Sequence, residues 1–294
     1  LGVAQPGVDY SKLEIKTTDL GGGVYLLGWQ GGDSLILVGD DGVLLVDTSV
    51  EQMGDKIKAA IASVSSKPIK LVINTHAHAD HFGANEAMAK GGAIIVSHDN
   101  LRERMAKGQH IAAFNQTVPP SRPAALPTMT YAESLTLHFD GETIQLFHPR
   151  NAHTDSDTLV HFVRANVIHA SGTFGGDGSY PFFDASSGGS LPGMIAAQEK
   201  MLSLADEKTR IMPDEGDPAT TEALRACHDA LVTIRARVQK LIDDGKSEDE
   251  AVAAKPTKDL DARWVRPGGF LTGDTFTRMA YQSLKNGVGA PAAR

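Results

Sequence analysis

The stretch Leu71-Val72-Ile73-Asn74-Thr75-His76-Ala77-His78-Ala79-Asp80-His81 passes from an apolar run straight into four potential metal ligands within six residues. Leu71 to Ile73 read as a buried strand, and continued extended backbone puts His76 and His78 on one face, because side chains alternate with period two. Asp80 and His81 then fall at the bend into the next helix. Imidazoles joined by a carboxylate suit zinc and similar borderline cations, and an open coordination position lets bound water ionise near neutral pH. The plain alternative is a polar loop with chance histidines. A single buried histidine is ordinary, whereas HxHxDH spacing at a strand end is not.

Working outward, strands and helices alternate. Residues 34–47 hold two apolar runs around Gly39-Asp40-Asp41-Gly42, a hairpin entering the core. Further hairpins are expected over 134–148, turning at Asp140-Gly141, and over 158–170, turning near Ala165-Asn166. Helices are expected over about 51–63, 84–90 and 193–204. The strand at 71–74, its helix and the apolar run 93–96 form a βαβ unit, so part of the sheet is parallel. Leu224, Cys227, Leu231, Ile234, Val238 and Leu241 recur at three- and four-residue steps, marking an amphipathic helix with Gly245 as its stop. Shorter helices are expected near 247–254 and 275–284, and the Pro-rich 118–127 reads as a surface loop. Only the Ala/Gly/Pro-rich tail after Asn286 is of low complexity.

A chain of 294 residues, 41% hydrophobic and 22% charged, buries a large core. The net charge of −8 argues against a nucleic-acid partner, which needs a basic face. No apolar run reaches about 18 residues, so no membrane-spanning helix is expected. Cys227 stands alone, which rules out an internal disulfide, and its helical stripe makes it a packed thiol. The chain starts at Leu1, and Gly2-Val3-Ala4-Gln5-Pro6 is small and polar, as a segment following a signal-peptidase site is. A periplasmic or secreted location is the expectation, with a cytoplasmic one as the alternative.

HAHADH at 76–81 resembles the signature of the metallo-β-lactamase superfamily. Leu44-Leu45-Val46-Asp47-Thr48 resembles that family's first motif and Asn151-Ala152-His153-Thr154 its third, and the resemblance runs from about Val24 to Thr220. It implies an α/β fold, an αβ/βα four-layer sandwich with the metal site at one sheet edge. The whole of 1–294 would be one such domain, with a mainly helical C-terminal extension over about 222–294. The resemblance also implies that His76, His78 and His153 hold one metal ion, zinc in the first instance, with other divalent metals as alternatives. Asp47 would support the site from behind. Asp80 and His81 would face a second ion, with Asp80 as the catalytic carboxylate that handles hydroxide and proton.

Two motifs depart from the pattern. Gly172 stands where the fourth motif has a bridging Asp, and Pro213-Asp214-Glu215-Gly216 replaces Pro-Gly-His-Gly, so Glu215 stands for a histidine. One reading is a second site rebuilt from Asp80, His81 and Glu215. The preferred reading is a weak or empty second site, because a lost bridging carboxylate removes ligation to both ions. Restoring both residues, Gly172→Asp with Glu215→His, is then expected to raise the metal content, and a shifted register would bring Asp177 toward the metals. Tyr180, after the glycine-rich loop, is a candidate oxyanion donor. Asn151 is a candidate for orienting His153, and His169 adjoins the altered motif.

The expected function is hydrolysis of an acyl bond, of β-lactam or lactone type, in a small-molecule substrate by metal-held hydroxide. Phosphate or sulfate ester hydrolysis is the alternative among enzymes. Outside them, the alternative is a metal-binding protein with little turnover, and the fold does not choose among these.

Overall fold

The computed structural model describes residues 8–29 and 31–287. The opening segment 2–6 and the tail beyond Gly287, which carry two of the expectations above, lie outside the described residues.

In chain order the strands are β1 (Lys16–Gly21), β2 (Val24–Gly28), β3 (Ser34–Val38), β4 (Val43–Val46), β5 (Ile69–Ile73), β6 (Ile94–His98), β7 (Gln109–Ile111), β8 (Gln116–Val118) and β9 (Met129–Tyr131). There follow β10 (Ser134–Phe139), β11 (Glu142–Phe147), β12 (Leu159–Phe162), β13 (Val167–His169), β14 (Arg210–Met212) and β15 (Ala219–Thr220). One sheet has the order β1-β2-β3-β4-β5-β6-β9 and the other runs β10 to β15 in sequence, while β7 and β8 make a separate hairpin. Pairing is antiparallel except where β4 meets β5, β5 meets β6, β6 meets β9 and β13 meets β14.

The helices are α1 (Gly54–Val64), α2 (Ala79–Phe82), α3 (Asn85–Lys90), α4 (Asp99–Lys107), α5 (Leu191–Leu204), α6 (Thr221–Asp243), α7 (Glu248–Ala253), α8 (Asp261–Trp264) and α9 (Gly273–Asn286). Leu35, Leu37, Leu44, Val46 and Ile73 of the first sheet meet Ile144, Leu146, Val160, Phe162 and Val167 of the second in a shared core. On the outer face of the first sheet, Ile36, Leu45 and Val72 pack on Ile57, Ile61 and Met88 from α1 and α3. On the outer face of the second, Leu159, Ile168 and Ile211 pack on α5, α6 and α9. The layers are therefore helix, sheet, sheet, helix. Strands β3 and β4 are covered on both faces, which is why they read as unbroken apolar runs rather than alternating ones.

The three expected hairpins and the parallel β5–β6 pair are present. Helix α5 starts two residues earlier than expected, since Ser190 caps it and Pro192 fits a first turn that has no use for its missing N–H. Helix α4 escapes sequence reading because only Leu101 and Met105 face inward on an otherwise charged segment. The expected loop at 118–127 contains the end of β8 and a turn of 3-10 helix at Pro123–Ala125. Cys227 is buried in α6, as its stripe implied. Among the described residues no helix is long and apolar enough to cross a membrane.

Phe162 is fully buried between the sheets, opposite Ile144 on β11 and Val167 on β13. Phe162→Ala is expected to cost about 3–5 kcal/mol, read as a lowered midpoint in urea unfolding. A loss below about 1 kcal/mol would show that the two sheets do not depend on this contact.

Candidate metal centre

Parallel neighbours send their following loops out at the same edge, and here both sheets do so side by side. Asp47 follows β4, Thr75 to His81 follow β5, Ser171-Gly172 follow β13 and Pro213 to Gly216 follow β14. His153 comes from the loop between β11 and β12. The two ligand loops are joined directly: Thr158 N donates to Thr75 O at 2.7 Å and Ala77 N donates to Ser156 Oγ at 3.1 Å. Within the second loop, Asp157 accepts from Thr154 N at 2.9 Å, closing the turn that presents His153.

His76, His78 and His153 are buried and offer nitrogens that all lie within 4.8 Å of one another. Their rings meet nearly at right angles, 82° to 90°, so the nitrogens converge rather than stack. Nδ1 of His78 and Nε2 of His153 stand 3.0 Å apart. The outer nitrogens are committed elsewhere. His153 Nδ1 donates to Phe182 O at 2.7 Å, and His78 Nε2 donates to Asp184 Oδ2 at 3.2 Å. His76 Nδ1 lies 3.1 Å from Thr75 Oγ1 and 3.3 Å from Ser171 Oγ. Burial, followed by the charge of neighbouring histidines, holds His76 well below the usual imidazole value and His153 down to about 3. Both are neutral donors at physiological pH.

A second group, His76, His81 and Asp214, adjoins the first. His81 Nδ1 donates to Asp47 Oδ2 at 2.8 Å, and Asp47 is itself fixed by Thr75 N at 2.7 Å and Thr75 Oγ1 at 2.6 Å. His81 Nε2 faces Asp214 Oδ1 at 3.5 Å and Asp80 Oδ2 at 3.8 Å. Burial works to lower the His81 pKa, but Asp214, Asp80 and Asp47 outweigh it and hold it well above the usual value. Burial pushes Asp214 up to about 7. For Asp184 burial works upward, but hydrogen bonds from His78, Ser186 and Ser187 prevail and keep the carboxyl below its ordinary range.

His76 Nε2, His81 Nε2 and Asp214 Oδ1 are shielded from water and have no hydrogen-bond partner. Each such orphan costs on the order of 1–3 kcal/mol unless something answers it. Donors about 2.0–2.2 Å from a tetrahedral cation stand about 3.4 Å from each other, and the observed gaps of 3.0 Å and 3.5 Å bracket that spacing. The residues present fit a divalent cation. Every outer nitrogen is oriented by an acceptor, as metal-ligating histidines require.

Several sequence expectations are corrected here. Among the described residues neither ligand group contains Glu215; the acid that meets His81 is its neighbour Asp214. Tyr180 lines the cavity beside His153, but its hydroxyl donates to Asp261 Oδ1 at 3.1 Å and its ring stacks on Phe276, so the hydroxyl is committed away from an oxyanion. Asp177 pairs with Arg263 at 2.9 Å and belongs to neither ligand group among the described residues. The Asn151 amide donates to Gly188 O at 2.9 Å. His169 accepts from Ser171 N at 3.0 Å, bracing the altered motif from behind.

Gly172 has a positive reason to be glycine: a Cβ there would sit 2.1 Å from Cδ2 and 2.6 Å from Nε2 of His153. An aspartate cannot be restored at 172 without displacing His153, so the expected gain of metal on Gly172→Asp with Glu215→His is withdrawn. Asp184 and Asp214 escaped the sequence reading. Asp184 stands 106 residues from the histidine it orients, a separation that carries no pattern.

His78→Ala is expected to remove most of the tightly bound metal, because two imidazoles hold zinc poorly where three hold it well. Gly172→Asp is expected to lower metal content and thermal stability together. Metal analysis by mass spectrometry on folded protein checks both, and undiminished metal in either variant would contradict the ligand assignment.

The sequence profile of the metallo-beta-lactamase superfamily matches residues 27–208. The alpha subunit of 2,4-dinitroanisole O-demethylase from Nocardioides sp. (strain JS1661) is 27% identical over 144 residues, 48% of this chain and only 40% of that protein. Among solved structures, a metallo-beta-lactamase from Pontibacter korlensis aligns with a TM-score of 0.61 at 17% identity, over 74% of this chain and 99% of its own. The sec-alkylsulfatase Pisa1 from Pseudomonas sp. aligns with a TM-score of 0.71 at 17% identity, over 91% of this chain and 50% of its own. The mono-zinc form of the metallo-beta-lactamase FIM-1 from Pseudomonas aeruginosa aligns with a TM-score of 0.60 at 18% identity, over 74% of this chain and 95% of its own. At these identities the structural likeness concerns the fold. With the profile covering more than half of the chain and the histidine cluster at its centre, the chain belongs to the metallo-beta-lactamase superfamily.

Proposed function

We propose that the chain is a metal-dependent hydrolase that opens an acyl bond, of β-lactam or lactone type, in a small molecule. The observation that carries this reading is the convergence of buried, oriented imidazoles beside a cavity of roughly 130 Å³, whose wall includes His153, Phe182, Asp214, Glu215, Arg266 and Phe270. A divalent cation held by His76, His78 and His153, zinc first among the candidates, would polarise a carbonyl and make water acidic near neutral pH. The protein's own groups do the rest. Asp80, buried in the first turn of α2, takes a proton at its carboxylate from the attacking water and returns it to the leaving nitrogen or oxygen.

Substrate size and charge follow from the walls. The cavity opens onto a rim on which the remainder of the substrate rests. There Phe114, Phe182 and Phe270 meet with ring centroids 5.4 to 5.6 Å apart, and Phe270 is 49% exposed. That rim suits an apolar or aromatic substituent. Asp80, Asp214 and Glu215 crowd the site with acid, which works against a phosphate dianion and favours a neutral or singly charged substrate. A larger cleft of about 480 Å³ lies between residues 50–52, 79–86 and 118–125, but its charged groups, Glu51, Glu86 and Arg122, pair with one another.

The second reading is hydrolysis of a sulfate monoester. Arg266 beside the cavity supplies a cation for a single negative charge, and the likeness to the sec-alkylsulfatase extends over the C-terminal helices as well. A panel of a β-lactam, a lactone, an alkyl sulfate, a phosphate monoester and an aryl methyl ether tests the proposal on zinc-loaded protein. The acyl substrates are expected to turn over fastest. Asp80→Asn is expected to lower kcat about 10²- to 10⁴-fold while the imidazole site keeps its metal. Turnover of the sulfate alone would move the assignment to the second reading, and no turnover with metal bound would leave a metal-binding protein.

A further inference from the structure

We propose that Ser186 is a positioning residue whose hydroxyl ties the β7–β8 hairpin, and with it the rim aromatic Phe114, to the imidazole of His78 through Asp184. The inference deepens the proposed function, since it rests on the cation held by His76, His78 and His153 and on the apolar rim, and it makes one side chain serve both.

The hydrogen bonds run in an unbroken line. Ala112 N donates to Ser186 Oγ at 3.0 Å, Ser186 Oγ donates to Asp184 Oδ1, and His78 Nε2 donates to Asp184 Oδ2 at 3.2 Å. Their direction is forced. A hydroxyl that accepts from an amide keeps its single proton for another acceptor, and a carboxylate only accepts. Ala112 opens the 3-10 turn Ala112–Phe114, and the first amide of such a turn has no partner inside it, so Ser186 answers a donor that the hairpin itself leaves over. Ser186 N also donates to Asp184 Oδ1 at 3.0 Å, which fixes the carboxylate from the same residue.

The hairpin needs such a link because β7 and β8 pair only with each other, so no ladder of either sheet sets their place. Ile111 and Val118 share an apolar cluster with Ala77 and Ala79, the small residues that alternate with His76, His78 and Asp80. Apolar contact of this kind is non-directional and holds the hairpin against the ligand loop without fixing how far it slides. Direction comes from the polar links: Gln109 Nε2 donates to Ala77 O at the start of the hairpin, and Ala112 N donates to Ser186 Oγ beyond it. Two residues after Ala112, the Phe114 ring meets those of Phe182 and Phe270 with centroids 5.4 Å away from each.

The segment that receives the hairpin is also the one that orients two of the imidazoles. Phe182 O accepts from His153 Nδ1, Asp184 accepts from His78 Nε2, and the Phe182 ring meets the His153 ring edge-on with centroids 5.8 Å apart. A substrate group resting on Phe114 therefore bears on the stretch 182–186 that sets both rings. Ser186 is itself exposed, so removing its hydroxyl opens no cavity in the core, and the effect is read at the two ends that it joins.

The experiment compares the parent with Ser186→Ala and Ser186→Thr, each stripped of metal and reloaded with Co²⁺, whose visible absorption reports the geometry of its ligands. Losing the direct partner of a metal-bound histidine costs about 10- to 100-fold in metal affinity, and Asp184→Asn is expected to show that loss. Ser186→Ala, one bond further out, is expected to weaken Co²⁺ binding about three- to tenfold and to alter the spectrum. Its amides over 109–118 are expected to exchange hydrogen faster than in the parent. Ser186→Thr keeps the hydroxyl and is expected to match the parent in both measurements, while Phe114→Ala is expected to show the parental spectrum. With a phenylacetyl and an acetyl ester of one alcohol, Ser186→Ala and Phe114→Ala are both expected to lose preference for the phenylacetyl ester, and Ser186→Ala to lower kcat on each. Parental Co²⁺ affinity and spectrum in Ser186→Ala would overturn the proposal, as would unchanged exchange over 109–118 or a Ser186→Thr protein as impaired as Ser186→Ala. Metal-loaded parent that turns over neither ester would count against the hydrolase reading and leave the cobalt and exchange measurements to decide this one.

Discussion

Each of the four clustered imidazoles is held by its outer nitrogen, and the rest of the site depends on that constraint. His81 leans on Asp47, His78 on Asp184, His153 on the Phe182 carbonyl and His76 on Thr75 and Ser171. With those nitrogens committed, the inner ones have nowhere to go but toward each other, in a place that water does not reach. Such an arrangement is costly without a cation and self-consistent with one.

Holding it requires backbone that does not relax. Asp47, Ser49, Asn151 and Ser171 all take positive φ, between 52° and 62°, in the loops that carry or flank the cluster. Side chains other than glycine rarely adopt this conformation, and its cost of about 1–3 kcal/mol per residue persists only where surrounding bonds over-determine it. Those bonds are visible here: Asp47 N donates to Ile73 O, Ser171 N to His169 Nδ1, and the Asn151 carbonyl accepts from Ser190 Oγ. The two sheets supply the rigid frame, and their paired strand ends supply the edge on which the strained loops meet.

The C-terminal part does more than cover a sheet. Asp214, Arg266 and Phe270 all lie beyond residue 208, where the superfamily profile ends, yet they form a wall of the cavity. The segment between α8 and α9 brings Phe270 against Phe114 and Phe182, and Tyr180 ties the glycine-rich loop to α8 through Asp261. The clustered histidines come from the stretch that the superfamily profile covers. Arg266 and Phe270 of the cavity rim come from beyond it.

The sequence by itself determined the strand-and-helix order, the three hairpins, the parallel β5–β6 unit and the histidines that cluster, because each rests on short-range periodicity or on spacing within a few residues. Leu44 to Asp47 and Leu71 to His81 carry their own meaning in any context. Tertiary structure alone decided which of Asp214 and Glu215 meets His81, that Tyr180 turns to Asp261, that Asp184 orients His78, and that Gly172 makes room for the His153 ring. These depend on how a loop directs adjacent side chains and on contacts between residues tens to a hundred positions apart. Neither quantity has a period, so a linear reading has no signal from which to recover it.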